Sequence, residues 1–321
     1  MIEIVRYNPD YKEIWNEFVE SSKNGTFLFN RNYMDYHNDR FNDNSYLIYK
    51  KGKLYSLLPA NRKEEILYSH QGLTYGGLVM NDKCSAEGIL DVFDALMEEL
   101  RTIGIKKMVY KPVPHIYHRI PSQEDLYALF RHNAKLIVRN ISSTIRLDSL
   151  INFSTLRKRM VKKAQKENLI FSQSFEFDSF WKILEDNLKS TYDAKPVHSI
   201  EEFKRLAQAF PKNIKLWVAT SSDSDNRENK MLAGVLCYYS ETAVHTQYIS
   251  ASPEGKRSGA VDLIIYSLIE QENRDNRGEL SWLDLGTSNE DGGRYLNESL
   301  IYQKQGFGGR AICYDTYEID L

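Results

Sequence analysis

The segment "LNESLIYQKQGFGGR", residues 296–310, holds two side chains that can support acyl transfer. The phenol of Tyr302 is protonated near neutral pH and can donate a proton to a leaving group, while the ammonium of Lys304 can stabilise an oxyanion. Two residues apart on a helix diverge by about 200°, so we expect at most one of them to face a site. The alternative is an ordinary helix end stopped by Gly306.

A third candidate is His245, because an attacking amine arrives as an ammonium ion and needs a base. It lies in the strand-like segment "AVHTQYISAS", where Gln247 shares its face by strand alternation. Asp284, on a later strand, either orients His245 or is purely structural. The alternative for His245 is a half-buried structural histidine.

The segment that follows has small residues and two cations before a helix, "SPEGKRSGA". Backbone N–H groups at a helix start attract anions, and Lys256 and Arg257 add full charges. We therefore predict an anion-binding loop in which Ser258, Gly259 and Ala260 let a phosphate approach the backbone. The alternative is a plain strand-to-helix connection with Ser258 as N-cap.

Length and composition set the frame for these candidates. A chain of 321 residues suggests two domains, and a net charge of −2 gives no global attraction to nucleic acid. Three widely spaced cysteines, no signal-peptide pattern and no long apolar run predict a cytoplasmic protein without a membrane span. The sequence predicts no metal site, since only His115 and His118 lie at ligand-like spacing.

The helices and strands that must position these residues predict an α+β fold, and their order occurs twice along the chain. Each half ends in the order helix, strand, helix, strand, so we predict two domains of one plan, at residues 1–150 and 151–321. A basic helix at 155–168, "TLRKRMVKKAQKEN", opens the second half. It is either a solvated helix face or a cradle for an anion.

The second half resembles a GNAT acyltransferase domain in its strand, glycine-bearing loop, helix, strand and final helix ending Tyr-x-x-x-Gly-Phe. The resemblance implies an acyl-CoA donor whose pantetheine arm lies along the strand at 243–252 and whose pyrophosphate binds the loop at 255–260. It makes Tyr302 the acid. The implied cofactor-binding residues are Ile249, Ser250, Ala251, Lys256, Arg257, Ser258, Gly259, Ala260 and Asn297.

The doubled plan with a basic helix resembles the FemABX-like proteins, through "RKRMVKKAQKEN" and "WLDLGTSNED…LNESLIYQKQGFGG". That resemblance implies two tandem GNAT-like domains, each a mixed, mostly antiparallel sheet flanked by helices. The first is expected to lack a cofactor site, because the matching segment "GLVMNDKCSAEG" carries Asp82 and Glu87 with only Lys83 to offset them. The resemblance implies an acyl- or aminoacyl-transferase, with acyl-CoA or aminoacyl-tRNA as donor and Lys304 as charge stabiliser in the tRNA-using case. The acceptor would be an amine or hydroxyl of a small molecule or cell-envelope precursor. The alternative is a non-catalytic binding protein, since only Ala260 matches the usual loop pattern.

Overall fold

The structure is a computed structural model. It describes every residue except 38, 193–195, 197, 222–228 and 276–279. Over these residues the chain divides into two compact units. Unit 1 comprises Met1–Ile141, Asn289–Tyr295 and Cys313–Leu321, and unit 2 comprises Ser142–Ser288 and Leu296–Ile312.

Unit 1 contains the first helices and most of the first strands. The helices are α1 (Lys12–Ser21), α2 (Arg31–Met34), α3 (Ala86–Thr102) and α4 (Glu124–Arg131). The strands are β1 (Ile2–Arg6), β2 (Asn42–Asp43), β3 (Tyr46–Lys50), β4 (Lys53–Leu58), β5 (Asn61–Lys63), β6 (Ile66–Tyr68), β7 (Val79–Met80), β8 (Lys107–Tyr110) and the first part of β9 (Lys135–Arg146). One sheet has the order β1-β3-β4-β7, and α3 packs an apolar stripe that includes Phe93 and Leu96 into the core of this unit.

Unit 2 carries the candidate residues. Its helices are α5 (Thr155–Lys166), α6 (Phe177–Tyr192), α7 (Ile200–Ala209), α8 (Pro253–Ser258), α9 (Ala260–Asp275) and α10 (Glu298–Gly306). The later strands are β10 (Ile170–Ser174), β11 (Ile214–Ser221), β12 (Lys230–Tyr239), β13 (Ala243–Ala251), β14 (Trp282–Thr287), β15 (Asn289–Glu290), β16 (Tyr295–Leu296) and β17 (Arg310–Asp320), of which β15 and parts of β16 and β17 belong to unit 1.

The sheet of unit 2 has the order β10-β11-β12-β13-β14-β9, and the pairs are antiparallel except β13 with β14. Its core joins sheet residues such as Val244 and Leu283 to Ile264 and Leu268 of α9. The predicted fold class is confirmed, because the chain is α+β with mixed, mostly antiparallel sheets flanked by helices.

The unit division differs from a simple cut near residue 150. Unit 2 begins at Ser142, inside β9, and the last nine residues return to unit 1. The predicted order of helix, strand, helix, strand is present before residue 147 as α3, β8, α4, β9, and again at the end of the chain as α9, β14, α10, β17. Equivalence of the two halves in three dimensions stays a prediction.

The expected anion-binding loop is a helix, and this is a correction. Ser252 caps α8 by accepting a hydrogen bond from the N–H of Gly255, and Pro253 occupies its first position. Ser258 is the last residue of α8 and not an N-cap, since its hydroxyl donates to the carbonyl of Gly255. Gly259, with φ of +79°, turns the chain directly into α9.

The end of α10 also differs slightly from expectation. The helix includes Gly306 and is capped at Phe307, while the left-handed residue is Gly308, with φ of +90°. A side chain at Gly308 would also clash with the carbonyl oxygen of Ile151. The Gly-Phe-Gly-Gly turn is therefore shaped by packing as well as by helix termination.

Candidate active site

His245 and Asp284 form a hydrogen-bonded pair in unit 2. They lie opposite each other on the parallel strands β13 and β14, and His245 Nδ1 is 2.8 Å from Asp284 Oδ2. The carboxylate is fully buried, whereas 14% of the His245 side chain is exposed. Among the described residues no hydrogen bond reaches Nε2, so this nitrogen can accept a proton from a bound molecule.

Asp284 is held by groups on three segments. Its Oδ1 accepts hydrogen bonds from the hydroxyl of Ser142 on β9 and from the N–H of Gly286, the latter at 2.9 Å. Thr246 Oγ1 donates to its backbone carbonyl at 3.3 Å. A buried carboxylate with several donors stays fixed, so Asp284 fixes the orientation of the imidazole ring.

Lys304 is the buried cation of the same region. It extends from α10, and its Nζ donates to the carbonyls of Gly286 at 2.9 Å and Thr287 at 2.7 Å. Only 7% of the residue is exposed, and burial lowers the pKa of Lys304 to about 8 while the nearby charge of Asp284 opposes the shift. Two of the three ammonium protons are used by these carbonyls, which leaves one for a ligand.

Gly286 brings the two candidates together. A β-carbon built on this residue would lie 3.5 Å from Cε1 of His245 and 3.9 Å from Nζ of Lys304. Its φ of +78° is in the left-handed region, where glycine carries no steric cost. A base and a cation therefore flank one small residue at the end of β14.

Strands β13 and β14 separate just beyond this point. They pair only from Ala243 to His245 and from Trp282 to Asp284, although β13 continues to Ala251. Gln247 is an extra residue in β13, because Cys237 pairs with Thr246 and Leu236 with Tyr248. This β-bulge breaks the alternation that we used to place Gln247 on the same face as His245.

A cavity of about 360 Å³ is lined by β13 and β14 residues beyond the point where the two strands separate. Its wall combines β13, β14 and α10 with α6, α8 and α9. The lining residues are Leu184, Asn187, Leu188, Ile249, Ser250, Ala251, Lys256, Val261, Ile265, Leu285, Leu300, Gln303, Lys304 and Phe307. Mostly apolar walls with a few convergent polar groups are typical of a small-molecule site.

The cavity unites some of the predicted residues. Ile249, Ser250 and Ala251 line it along β13, Lys256 lines it from α8, and Lys304 lines it from α10. The Lys256 ammonium donates to the side-chain carbonyl of Asn187, which lies on α6.

Other predicted residues, including His245, are not among the residues that line the cavity. Ser258, Gly259 and Ala260 are buried, and Arg257 is exposed with its carbonyl bonded to Lys163. Asn297 caps α10 by accepting from the N–H of Leu300. Their assignment as cofactor-binding residues stays a prediction.

Tyr302 and Lys304 point in different directions, as helical geometry predicts. Tyr302 is 68% exposed and is not among the residues lining the cavity. Lys304 points inward. Of these two side chains, Lys304 is the one next to the His245 site.

Two features of the site were not predicted from sequence. The α6 wall of the cavity had no motif, and the signal available was only the amphipathic pattern of Leu184 and Leu188. The role of Ser142 depends on which strand pairs with β14, and the sequence does not show that β9 fills this position.

No group of three or more metal-ligating side chains was found among the described residues. Over the same part of the chain, every helix is too short or too polar to cross a bilayer.

Comparison with solved structures shows the fold. FemX matches with a TM-score of 0.70 at 12% identity, over 99% of this chain and 97% of that chain. The C-terminal domain (DUF2156) of a putative lysylphosphatidylglycerol synthetase from Agrobacterium fabrum matches with a TM-score of 0.62 at 9% identity, over 97% of this chain and 92% of that chain.

A tandem GNAT protein from the clavulanic acid biosynthesis pathway matches with a TM-score of 0.52 at 9% identity, over 100% of this chain and 98% of that chain. No protein-family model and no curated protein matches the sequence. The chain therefore shares its fold with FemX and with a tandem GNAT protein.

Proposed function

We propose that this protein is a transferase that moves an aminoacyl group from aminoacyl-tRNA to an amine acceptor. The observation that carries the proposal is the buried ammonium of Lys304 in the cavity, beside the His245–Asp284 pair. Attack on an aminoacyl ester needs a base for the amine and a positive charge for the tetrahedral oxyanion. Lys304 lines the cavity, and His245 lies beside Lys304 across Gly286.

An acceptor amine that enters as ammonium first loses one proton to solvent, and the neutral amine then attacks. His245 Nε2 takes a proton from the attacking amine as the new amide bond forms. The third proton of Lys304 stabilises the oxyanion, and the ester oxygen leaves with the proton that His245 returns. Asp284 stabilises the imidazolium and keeps Nδ1 protonated throughout.

The geometry favours an aminoacyl donor over acyl-CoA for two reasons. The acid that a departing thiolate requires would be Tyr302, which is 68% exposed and outside the cavity. A pyrophosphate would also need the backbone of Ser258, Gly259 and Ala260, all of which are buried. A cell-envelope precursor carrying a free amine is the acceptor that we propose.

The experiment compares donors and two variants of α10. Radiolabelled amino acids on a mixed tRNA pool, and acetyl-CoA in parallel, are offered with peptides carrying a free lysine amine. We expect transfer from charged tRNA, and Lys304→Met should lower kcat by about 10²–10³, the scale of one lost oxyanion contact. Tyr302→Phe is the matched control and should retain activity.

Two results would redirect the proposal. Transfer from acetyl-CoA that depends on Tyr302 would assign the protein to the acyl-CoA alternative. If neither donor reacts and neither CoA nor a 3′-aminoacyl-nucleoside analogue raises the melting temperature, the chain is a non-catalytic binding protein.

Asp284 supplies an independent test as a positioning residue. Asp284→Asn keeps the size of the side chain but presents an amide to Nδ1, so the protonated state of His245 loses its stabilising charge. We expect kcat to fall by about 10²–10⁴, the usual range of general acid–base catalysis, with a changed pH–rate profile. Ser142→Ala leaves the His245 contact intact and should have a much smaller effect. Equal losses in both variants would mean a purely structural network.

A further inference from the structure

A second cavity of unit 2 has an amphipathic wall. It has a volume of about 330 Å³ and lies among the end of β9, the loop after it, α5, α9 and Phe307. Helix α5 contributes a stripe of four residues, Lys158, Val161, Lys162 and Gln165. Helix α9 contributes Tyr266, Ile269 and Glu270. The remaining lining residues are Ile145, Leu150, Ile151, Asn152, Phe153 and Phe307. This cavity is not used by the proposed transfer reaction.

The apolar part of the wall combines a buried floor with an exposed rim. Val161, Ile269 and Phe307 are at most 5% exposed and form the floor. Leu150 is 45% exposed and Ile151 is 43% exposed on the loop that forms one side. Aliphatic side chains that stay exposed around a cavity lose contact with water when an apolar ligand covers them.

The charged part of the wall is cationic overall. Lys158 and Lys162 are one helical turn apart on α5, and Glu270 faces them from α9. Lys158 Nζ is 3.4 Å from Asn152 Oδ1, while Lys162 has no ion pair or hydrogen bond to any described residue. Other cations of α5 are used inside the unit, since Arg157 pairs with Asp262 and Lys163 donates to the carbonyl of Arg257.

We propose that this cavity binds an anionic amphiphile, with the aliphatic chain in the cavity and the acidic head group on Lys162 and Lys158. A polyanion such as RNA would use the cations of α5 but would gain nothing from Leu150, Ile151 and the buried floor. An uncharged apolar ligand would gain nothing from Lys162. Only a ligand with both parts uses the whole wall.

The test measures binding of a fluorescent fatty acid, dansyl-undecanoate, to the full chain and its displacement by laurate. Lys162→Glu should weaken binding about three- to tenfold, because it replaces a surface attraction by a repulsion. Lys166→Glu makes the same charge change on the same exposed helix at a residue that does not line the cavity, and it should leave affinity within about twofold. Both positions are exposed, so neither variant should impair folding.

The apolar arm uses Ile151→Ser, which should weaken binding about fivefold through the loss of half-exposed aliphatic surface. Leu136→Ser is its control, since Leu136 is 44% exposed in unit 1 and lies outside the cavity. Vesicles with and without phosphatidylglycerol then distinguish a membrane lipid from a free fatty acid as the source of the ligand.

The proposal is overturned if dansyl-undecanoate does not bind, or if Lys162→Glu and Lys166→Glu bind it equally. RNA binding that falls equally in both variants, without fatty-acid binding, would assign α5 to nucleic acid. None of these readouts depends on transfer activity, so the proposed function can fail while this site remains.

Discussion

At the scale of single residues, the site depends on a lysine that is buried. Lys304 gains two carbonyl partners, but burial disfavours its charged form. A pKa of about 8 keeps much of the side chain protonated near neutral pH while making it easier to neutralise than an exposed lysine. Transfer that requires the ammonium should therefore decline as pH rises through about 8.

The same shift predicts a pH-dependent stability. In the folded state Lys304 loses its proton near pH 8, whereas in the unfolded chain it does so near 10.5. Between these pH values the unfolded state binds more protons than the folded state, so the free energy of unfolding rises with pH. Below pH 8 the lysine is charged in both states, and the full free-energy cost of burying its charge applies. That cost is on the order of 3 kcal/mol at most.

Lys304→Met removes the titrating group and tests this directly. The free energy of unfolding of the variant minus that of the wild type should be more positive at pH 7 than at pH 10. Urea unfolding at both pH values measures the difference, and other titrating groups cancel because both proteins share them. A difference independent of pH would show that Lys304 has an ordinary pKa in the folded state.

At the scale of elements, Gly259 allows the junction of α8 and α9 to pack closely against α5. A β-carbon on Gly259 would lie 2.5 Å from the carbonyl oxygen of Met160, and the φ of +79° is already unfavourable for other residues. An ion pair of 2.9 Å between Arg157 of α5 and Asp262 of α9 also joins these helices. Both side chains are at least 84% buried. The small residues "SGA" thus serve close packing of helices.

Gly259→Ala should destabilise the protein by about 2–4 kcal/mol, through left-handed strain of about 1–2 kcal/mol plus the contact with Met160. Gly104→Ala is the matched control. Gly104 has φ of +75° and nothing within 4 Å of the added carbon, so it should cost only the strain. Urea unfolding of both variants separates the two terms, and equal losses would show that α5 yields to the methyl group.

The elements also show what the sequence could and could not predict. The basic run at 155–168, which contains no Pro or Gly, predicted α5 at Thr155–Lys166. The helix α8 was missed although Ser252 and Pro253 are ordinary start signals, since the glycines and cations suggested a loop. The bulge at Gln247 and the separation of β13 from β14 depend on strand pairing, which no local pattern encodes.

At the scale of the whole molecule, sequence order and compact units do not coincide. Strand β17 begins in unit 2 and ends in unit 1, where Tyr317 pairs with Tyr110 and Ile319 pairs with Met108. Ile319 is 2% exposed and belongs to the core of unit 1. The repeat that suggests two consecutive domains therefore gives no information about the final strand, whose partner lies some 200 residues earlier.

This arrangement predicts that unit 1 depends on the end of the chain. A fragment of residues 1–150 lacks β17, so it exposes β8 and the core that Ile319 fills, and we expect it to unfold at a lower urea concentration than the intact chain. In the full chain, Ile319→Ala should cost about 2–5 kcal/mol, the range for a truncated core isoleucine. Thr316→Ala, on the same strand and only partly buried, is the control and should cost much less. If the fragment instead unfolds cooperatively at the midpoint of the intact protein, then β17 is dispensable and the N-terminal half is an autonomous domain.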